Sequence, residues 1–96
     1  MRMLVIVYGG PRGDMVPAVL NQNQVRGWTA LGKAHGAGRT GRRAGSPAWP
    51  GESQVFFSIM EDAQVERVSA ALRERKADAT PGERIHVASL PVERFF

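Results

Sequence analysis

The segment from His35 to Ser46, HGAGRTGRRAGS, contains residue types that bind anions. Within it, Gly36-Ala37-Gly38-Arg39-Thr40-Gly41 matches G-x-G-x-x-G, a pattern that binds dinucleotides where it ends a strand and opens a helix. Here the pattern is followed by Arg42, Arg43 and a Gly-Ser-Pro turn, so no helix N-terminus is expected to hold a pyrophosphate. We therefore do not expect a Rossmann-type site. Glycine and arginine still suit a smaller anion site, because glycine lets backbone N–H groups approach and arginine binds oxygen atoms in pairs.

The positive charge of the chain is concentrated in the same region. The protein has 96 residues and a formal net charge of +4. Four of its basic residues lie between positions 33 and 43, a stretch with no acidic residue, whereas the rest of the chain is neutral. This distribution indicates a local anion-facing surface, with a solvated loop as the alternative. Four charges with Trp49 nearby would bind single-stranded nucleic acid weakly, so nucleic acid is not an expected partner.

The composition is that of one globular domain spanning residues 1–96. Hydrophobic residues make up 43% of the chain and charged residues 23%, which is ordinary for a folded domain. Cysteine is absent, which excludes disulfides, thiolate metal sites and cysteine nucleophiles and favours a cytoplasmic location. The longest apolar run, residues 3–8, is too short to cross a membrane, so no membrane insertion is expected.

Hydrophobic periodicity predicts four strands and two helices. The expected strands are at 3–8, 28–33, 55–60 and 85–90, and the expected helices at about 14–24 and 61–76. The order strand-helix-strand-strand-helix-strand predicts an α+β fold, a ferredoxin-like β-α-β-β-α-β sandwich with a four-stranded antiparallel sheet. The first and third strands are apolar on both faces, as central strands should be. Two helices cover one face of such a sheet, so we expect the other face to be buried in an oligomer.

Several short motifs resemble those of the PII signal-transduction family, in the same order along the chain. Gly27-Trp28-Thr29 resembles the "G-x-T" before the second strand, and Gly36-Ala37-Gly38-Arg39 resembles the "G-x-G-R" that leads into the long T-loop. Val55–Met60 followed by Glu61-Asp62 is similar to the third strand and its "P-D-D" helix start. Gly82–Val87 is similar to the "G-x-K-I-F-V" entry to the fourth strand. The chain thus resembles a short, divergent PII-like protein.

The resemblance implies a non-enzymatic homotrimer that binds a small anionic ligand, such as an adenine nucleotide, in clefts between subunits. Carried over to this sequence, it implies that Thr29 meets the adenine end of the ligand. It places Gly36, Gly38 and Arg39 at the phosphates, and Arg84 where the family has a phosphate-binding lysine. No cofactor is required.

A loop at about 37–53 occupies the T-loop position, through which members of the family regulate target proteins. It is shorter than the family's loop and lacks a tyrosine for modification. It contains Arg42, Arg43 and Trp49, which we expect to contact a protein partner. Because glycine and proline recur with no periodic apolar face, we expect this segment to act as a mobile docking element.

Two other interpretations share this fold plan. A CutA-like metal-responsive protein would need metal ligands, but His35 and His86 have no partner at helical spacing and no cysteine companion, so no metal site is expected. We expect His86 to be partly buried on an edge strand. An acylphosphatase-like enzyme would place a phosphate loop at residues 9–13, where we expect Arg12 to be an exposed residue in a Gly-Pro turn.

Overall fold

The chain folds into a four-stranded sheet with two helices on one face. The computed structural model describes residues 1–38, 41–42 and 53–96, with residues 37–38 and 41–42 described by their backbone alone. The elements in chain order are β1 (Arg2–Gly9), α1 (Met15–Gln22), β2 (Thr29–Ala34), β3 (Ala37–Gly38), β4 (Gly41–Arg42), β5 (Ser53–Met60), α2 (Asp62–Ala77) and β6 (Arg84–Pro91).

The main sheet has the strand order β2-β5-β1-β6. Every neighbouring pair is antiparallel, and β1 pairs along its length with both β5 and β6. The two strands that the sequence marks as apolar on both faces, β1 and β5, are therefore the central ones. The predicted ferredoxin-like α+β sandwich is confirmed.

Both helices pack on the same face of the sheet. Residues spaced three and four apart turn inward on each helix, and alternate residues of the central strands meet them. The buried apolar side chains of this core are Leu4, Ile6, Tyr8, Met15, Val16, Val19, Leu20, Val25, Phe56, Met60, Val65, Val68, Leu72 and Ile85. Trp28 packs at the margin of this core, edge-on to Phe56 with ring centroids 6.1 Å apart. The helices thus turn the sheet into a two-layer sandwich with one core.

The opposite face of the sheet, which we call the open face, is apolar, and neither of the two described helices covers it. Val5, Val7, Val55, Phe57 and Ile59 alternate with the core residues and are only half-buried. On the edge strands, side chains of the open face are more exposed still, with 53% for Leu31 and 41% for Leu90. Soluble monomers rarely expose a contiguous apolar surface of this kind.

Part of the segment after β2 has backbone pairing that the sequence did not predict. The second strand was expected to end at residue 33, but β2 continues to Ala34 past an irregularity at Lys33, whose φ is 57°. Residues 37–38 and 41–42 then form a short ladder in which Ala37 pairs with Arg42 and Gly38 with Gly41. Backbone pairing needs no apolar face, so the periodicity could not indicate it. Where the chain is described, no helix has the length and apolar content to cross a bilayer.

Candidate functional site

The ligand residues predicted from the sequence lie on or beside different strands. Thr29 opens β2 and is exposed. Gly36 follows β2, also exposed, with no atom within 4 Å of the position that a Cβ would occupy. Gly38 ends β3, and Arg84 opens β6. Arg39 lies outside the described residues, so its assignment to the ligand stays a prediction.

These residues lie on opposite edges of the sheet. β2 and β6 are the two edge strands, separated by β5 and β1, so their backbones are about 14 Å apart at a strand spacing of roughly 4.8 Å. Thr29 pairs with Phe57 in the middle of β5, whereas Arg84 pairs with Gly9 at the end of β1. A single subunit therefore does not bring Thr29 and Arg84 together around one small ligand.

The predicted partner-binding residues are described in part. Arg42 lies in β4, where its backbone pairs with Ala37. Arg43 and Trp49 lie outside the described residues, and their role remains a prediction.

A polar cluster that the sequence did not predict lies at the end of the sheet where β6 begins. The carboxylate of Glu83 has no solvent-exposed side-chain surface and accepts four hydrogen bonds. The donors are Tyr8 Oη at 2.5 Å, Arg12 Nε at 2.8 Å, Arg12 Nη2 at 3.0 Å and the backbone N–H of Thr80 at 3.1 Å. We call Tyr8, Arg12, Thr80 and Glu83 the Glu83 cluster.

The Glu83 cluster ties three parts of the chain together. Arg12 Nη2 also donates to the backbone carbonyl of Arg75 in the last turn of α2, at 2.9 Å. The backbone N–H of Arg12 donates to Tyr8 Oη at 2.6 Å. The loop after β1, the end of α2 and the turn before β6 are thereby held in one arrangement. Arg12 and Glu83 are 71 positions apart, so no local pattern could have indicated the pair.

The electrostatics of the Glu83 cluster favour the ion pair. The hydrogen bonds from Arg12 are the main reason that the pKa of Glu83 is lowered, although burial opposes the shift. The same interaction raises the pKa of Arg12. Burial, followed by the hydrogen bond to Glu83, raises the pKa of Tyr8, so the phenol stays protonated as a donor. The carboxylate is thus held ionised and the phenol neutral.

The expectation that Arg12 is an exposed loop residue was wrong. About a third of its side chain (34%) is exposed, and its guanidinium is already bound to Glu83 and to the carbonyl of Arg75. The Gly-Pro turn brings the arginine back onto the end of α2, where buried acceptors compensate its charge. Arg12 is therefore not presented to a phosphate as an acylphosphatase-like site would require.

Gly9 and Gly10 lie against Arg84 and the Glu83 cluster, where there is no space for a further side chain. A Cβ at Gly9 would overlap Arg84 Nη2, which shows that the guanidinium lies across the Gly9 backbone. At Gly10, where φ is +154°, a Cβ would lie 2.8 Å from both Glu83 Cγ and Tyr8 Oη. Because Gly9 and Gly10 carry no side chain, the Arg84 guanidinium and the Glu83 side chain can lie against the backbone at the end of β1.

Neither histidine belongs to a group of metal ligands among the described residues. His35 follows β2 and is exposed. His86 was expected to be partly buried, but it is exposed, because its position on the edge strand β6 opposite Val7 places it on the open face. Among the described residues, no three histidine, cysteine, aspartate or glutamate side chains form a group that could hold a metal ion.

The chain is similar to known proteins in its three-dimensional structure. No family model matches the sequence, and no curated protein shows significant similarity to it. The chain is similar to the structure of CPII, a nitrogen regulatory PII-like protein from Thiomonas intermedia K12, bound to ADP, AMP and bicarbonate. The TM-score is 0.69 with 16% sequence identity, covering 97% of this chain and 88% of that one. The apo form of CPII gives a TM-score of 0.65 with 13% identity, covering 95% and 89%.

A proposed PII-like signalling protein from Thermus thermophilus is similar as well. Its TM-score is 0.59 with 18% identity, covering 92% of this chain and 82% of that one. The similarity extends over nearly the whole chain in each case, whereas the identities are too low to transfer residue roles. The resemblance drawn from the short motifs is confirmed at the level of the fold: this chain has the fold of the PII-like proteins.

Proposed function

We propose that this chain is a non-enzymatic PII-like regulatory protein that binds a small anionic ligand, an adenine nucleotide or a related anion, in clefts between subunits. Three observations support the proposal. The fold is that of the PII-like proteins, and CPII, which shares it, binds ADP, AMP and bicarbonate. The basic, glycine-rich segment lies directly after β2. The open face of the sheet is apolar and without a covering helix.

The observation that supports a cleft between subunits most directly is the placement of the ligand residues on opposite edges. Thr29 opens the edge strand β2, Gly36 follows that strand and Gly38 lies in β3, whereas Arg84 opens the other edge strand, β6. If open faces pack together, the β2 edge of one subunit can approach the β6 edge of the next. The ligand then has glycine backbone and Arg39 on one side and the Arg84 guanidinium on the other. We infer a homotrimer, the assembly that the family resemblance implies.

Regulation follows from coupling this cleft to the 37–53 loop. Gly38 and Arg39 lie at the start of that loop, so a ligand bound to them biases the conformation of the residues that follow. Arg42, Arg43 and Trp49 then form the surface that a target protein contacts. A ligand that binds one of two loop states more tightly shifts the population toward it, and signalling requires no more than that.

Ligand binding is tested by calorimetric titration with ADP, AMP and bicarbonate. We expect Arg39→Ala and Arg84→Ala each to weaken ADP binding by about 1.5–3 kcal/mol, roughly 10- to 150-fold, because each removes charge-assisted hydrogen bonds. Arg67→Ala is the matched control, since Arg67 is an exposed arginine on α2 that is not among the proposed ligand residues. Wild-type protein that bound none of these anions would contradict the proposal. Stabilisation by divalent metals instead would favour the CutA-like interpretation.

A further inference from the structure

Glu83 and Arg84 are neighbours in sequence whose side chains lie on opposite sides of the sheet. Glu83 is buried on the helix side against Tyr8 and Arg12. Arg84 pairs with Gly9, and its guanidinium lies across that glycine on the open face. Successive side chains of an extended chain point to opposite faces. Fixing the Glu83 carboxylate on one side therefore directs Arg84 to the other.

We propose that the ion pair of Arg12 with Glu83 is the positioning element of the anion site, holding Arg84 on the open face for a phosphate. Arg12 acts through Arg84 and does not contact the ligand. This inference rests on the proposed function, because it assigns a task within the same site. It adds Arg12, Glu83 and Gly9 to the residues that determine the affinity for an anionic ligand.

The geometry favours positioning over a purely stabilising role. Replacing a buried ion pair by apolar residues of similar volume is often neutral or stabilising, so folding alone does not require the pair. A bidentate arginine-carboxylate pair restricts orientation more than a point charge does. Glu83 accepts all four of its hydrogen bonds at the end of a turn that leads directly into Arg84. Small displacements there are transmitted to the first residue of β6.

The binding test is a double-mutant cycle with ADP as the probe, using the full chain. Arg12→Lys keeps the charge and removes the bidentate fork. We expect it to weaken ADP binding about 5- to 20-fold in the wild-type background and to have no effect when Arg84 is already alanine, because coupled residues are non-additive. Equal losses in both backgrounds would overturn the proposal, since Arg12 would then act on the ligand directly or on the whole fold.

Gly9 offers an independent perturbation of the same guanidinium. Gly9→Ala places a Cβ against the Arg84 side chain, which supplies its three nearest heavy atoms, so we expect a loss of ADP affinity similar to that of Arg12→Lys. Gly13→Ala is the matched control in the same loop, because its nearest neighbour would be Gln54 Oε1 at 4.0 Å. Unchanged ADP affinity in Gly9→Ala would mean that the placement of the Arg84 guanidinium does not affect ligand binding.

A ligand-free measurement separates this inference from the proposed function. The Nε–H resonance of Arg84, assigned through its loss in Arg84→Ala, should be distinct from that of free arginine in wild-type protein. In Arg12→Lys and Glu83→Gln it should move toward the free value, while circular dichroism shows the fold retained. If wild-type protein binds no ADP, the proposed function fails. The Arg84 resonance then tests by itself whether the Arg12–Glu83 pair positions Arg84. A resonance unmoved in both variants would refute the positioning whatever the protein binds.

Discussion

Removing one oxygen atom from Tyr8 should reveal how much the Glu83 cluster contributes to stability. The ring of Tyr8 is 1% exposed, and Tyr8→Phe keeps it in the core. The hydroxyl donates to the Glu83 carboxylate at 2.5 Å and accepts from the Arg12 backbone N–H at 2.6 Å. A hydrogen bond to a charged group contributes about 1.5–3 kcal/mol and a neutral one about 0.5–1.5 kcal/mol. The free energy of unfolding should therefore fall by about 2–4 kcal/mol.

Urea denaturation at pH 7 and fixed protomer concentration measures this loss. The concentration must be held constant because subunit association would change the apparent stability. The denaturant dependence should be unchanged, since the same apolar area is buried. The control is the cycle with Glu83→Gln, in which the two losses should not add because both residues belong to one network. A loss below about 0.5 kcal/mol would refute the reasoning, since it would mean that the buried hydroxyl is dispensable.

The same variant has a predictable pH dependence. The pKa of Glu83 is lowered in the folded state, first by Arg12 and also by Tyr8. Its contribution to stability is therefore present above the unfolded pKa and is lost as pH falls through the lower, folded pKa. Tyr8→Phe removes one of the causes of that lowering, so the variant has less to lose in acid. The stability difference between wild type and Tyr8→Phe should narrow from about pH 5 toward pH 3, as urea titrations at each pH would show.

Three further predictions concern the open face, the loop and a buried hydroxyl. Phe57→Asp should convert the expected trimer into monomers in sedimentation velocity, because it places a charge on the apolar open face; a wild-type monomer would contradict the oligomer itself. Trp28→Phe leaves Trp49 as the remaining indole, and ADP should shift its emission and its quenching by iodide, whereas an unresponsive indole would mean that the loop does not move with ligand. Ser58→Ala should destabilise the fold by about 1–2 kcal/mol, because Ser58 Oγ donates to the Gly27 carbonyl at 2.6 Å in a buried position, and an unchanged urea midpoint would show that this carbonyl finds another donor.

The resemblance to PII-like proteins depended on order and spacing, since each motif is weak alone. The structure confirms the fold that those motifs implied, and it leaves the roles of Thr29, Gly36, Gly38, Arg39 and Arg84 as predictions. The strand order changes which of these residues can contact the same ligand within one subunit. The sequence could assign Thr29 and Arg84 to one site, but their separation on two sheet edges became visible with the strand order.

The sequence by itself determined the four long strands, the two helices and their arrangement. The pattern of polarity specifies which strands are central, because β1 and β5 are apolar runs whereas β2 and β6 contain polar residues. The helical periods between the strands specify how the helices cover the sheet. These signals are local, because the side chains of a strand or helix repeat along a few residues. Hydrophobic burial then allows few arrangements of such elements.

The tertiary structure alone decided the contacts among charged residues. Nothing near Arg12 in the sequence marks it as the partner of Glu83, and nothing near Glu83 marks it as buried. Their meeting depends on β1 and β6 pairing in a register that sets Gly9 opposite Arg84. Charge carries no periodic signal of its partner, so an arginine that binds a ligand and one that binds a buried carboxylate look alike until the chain is folded.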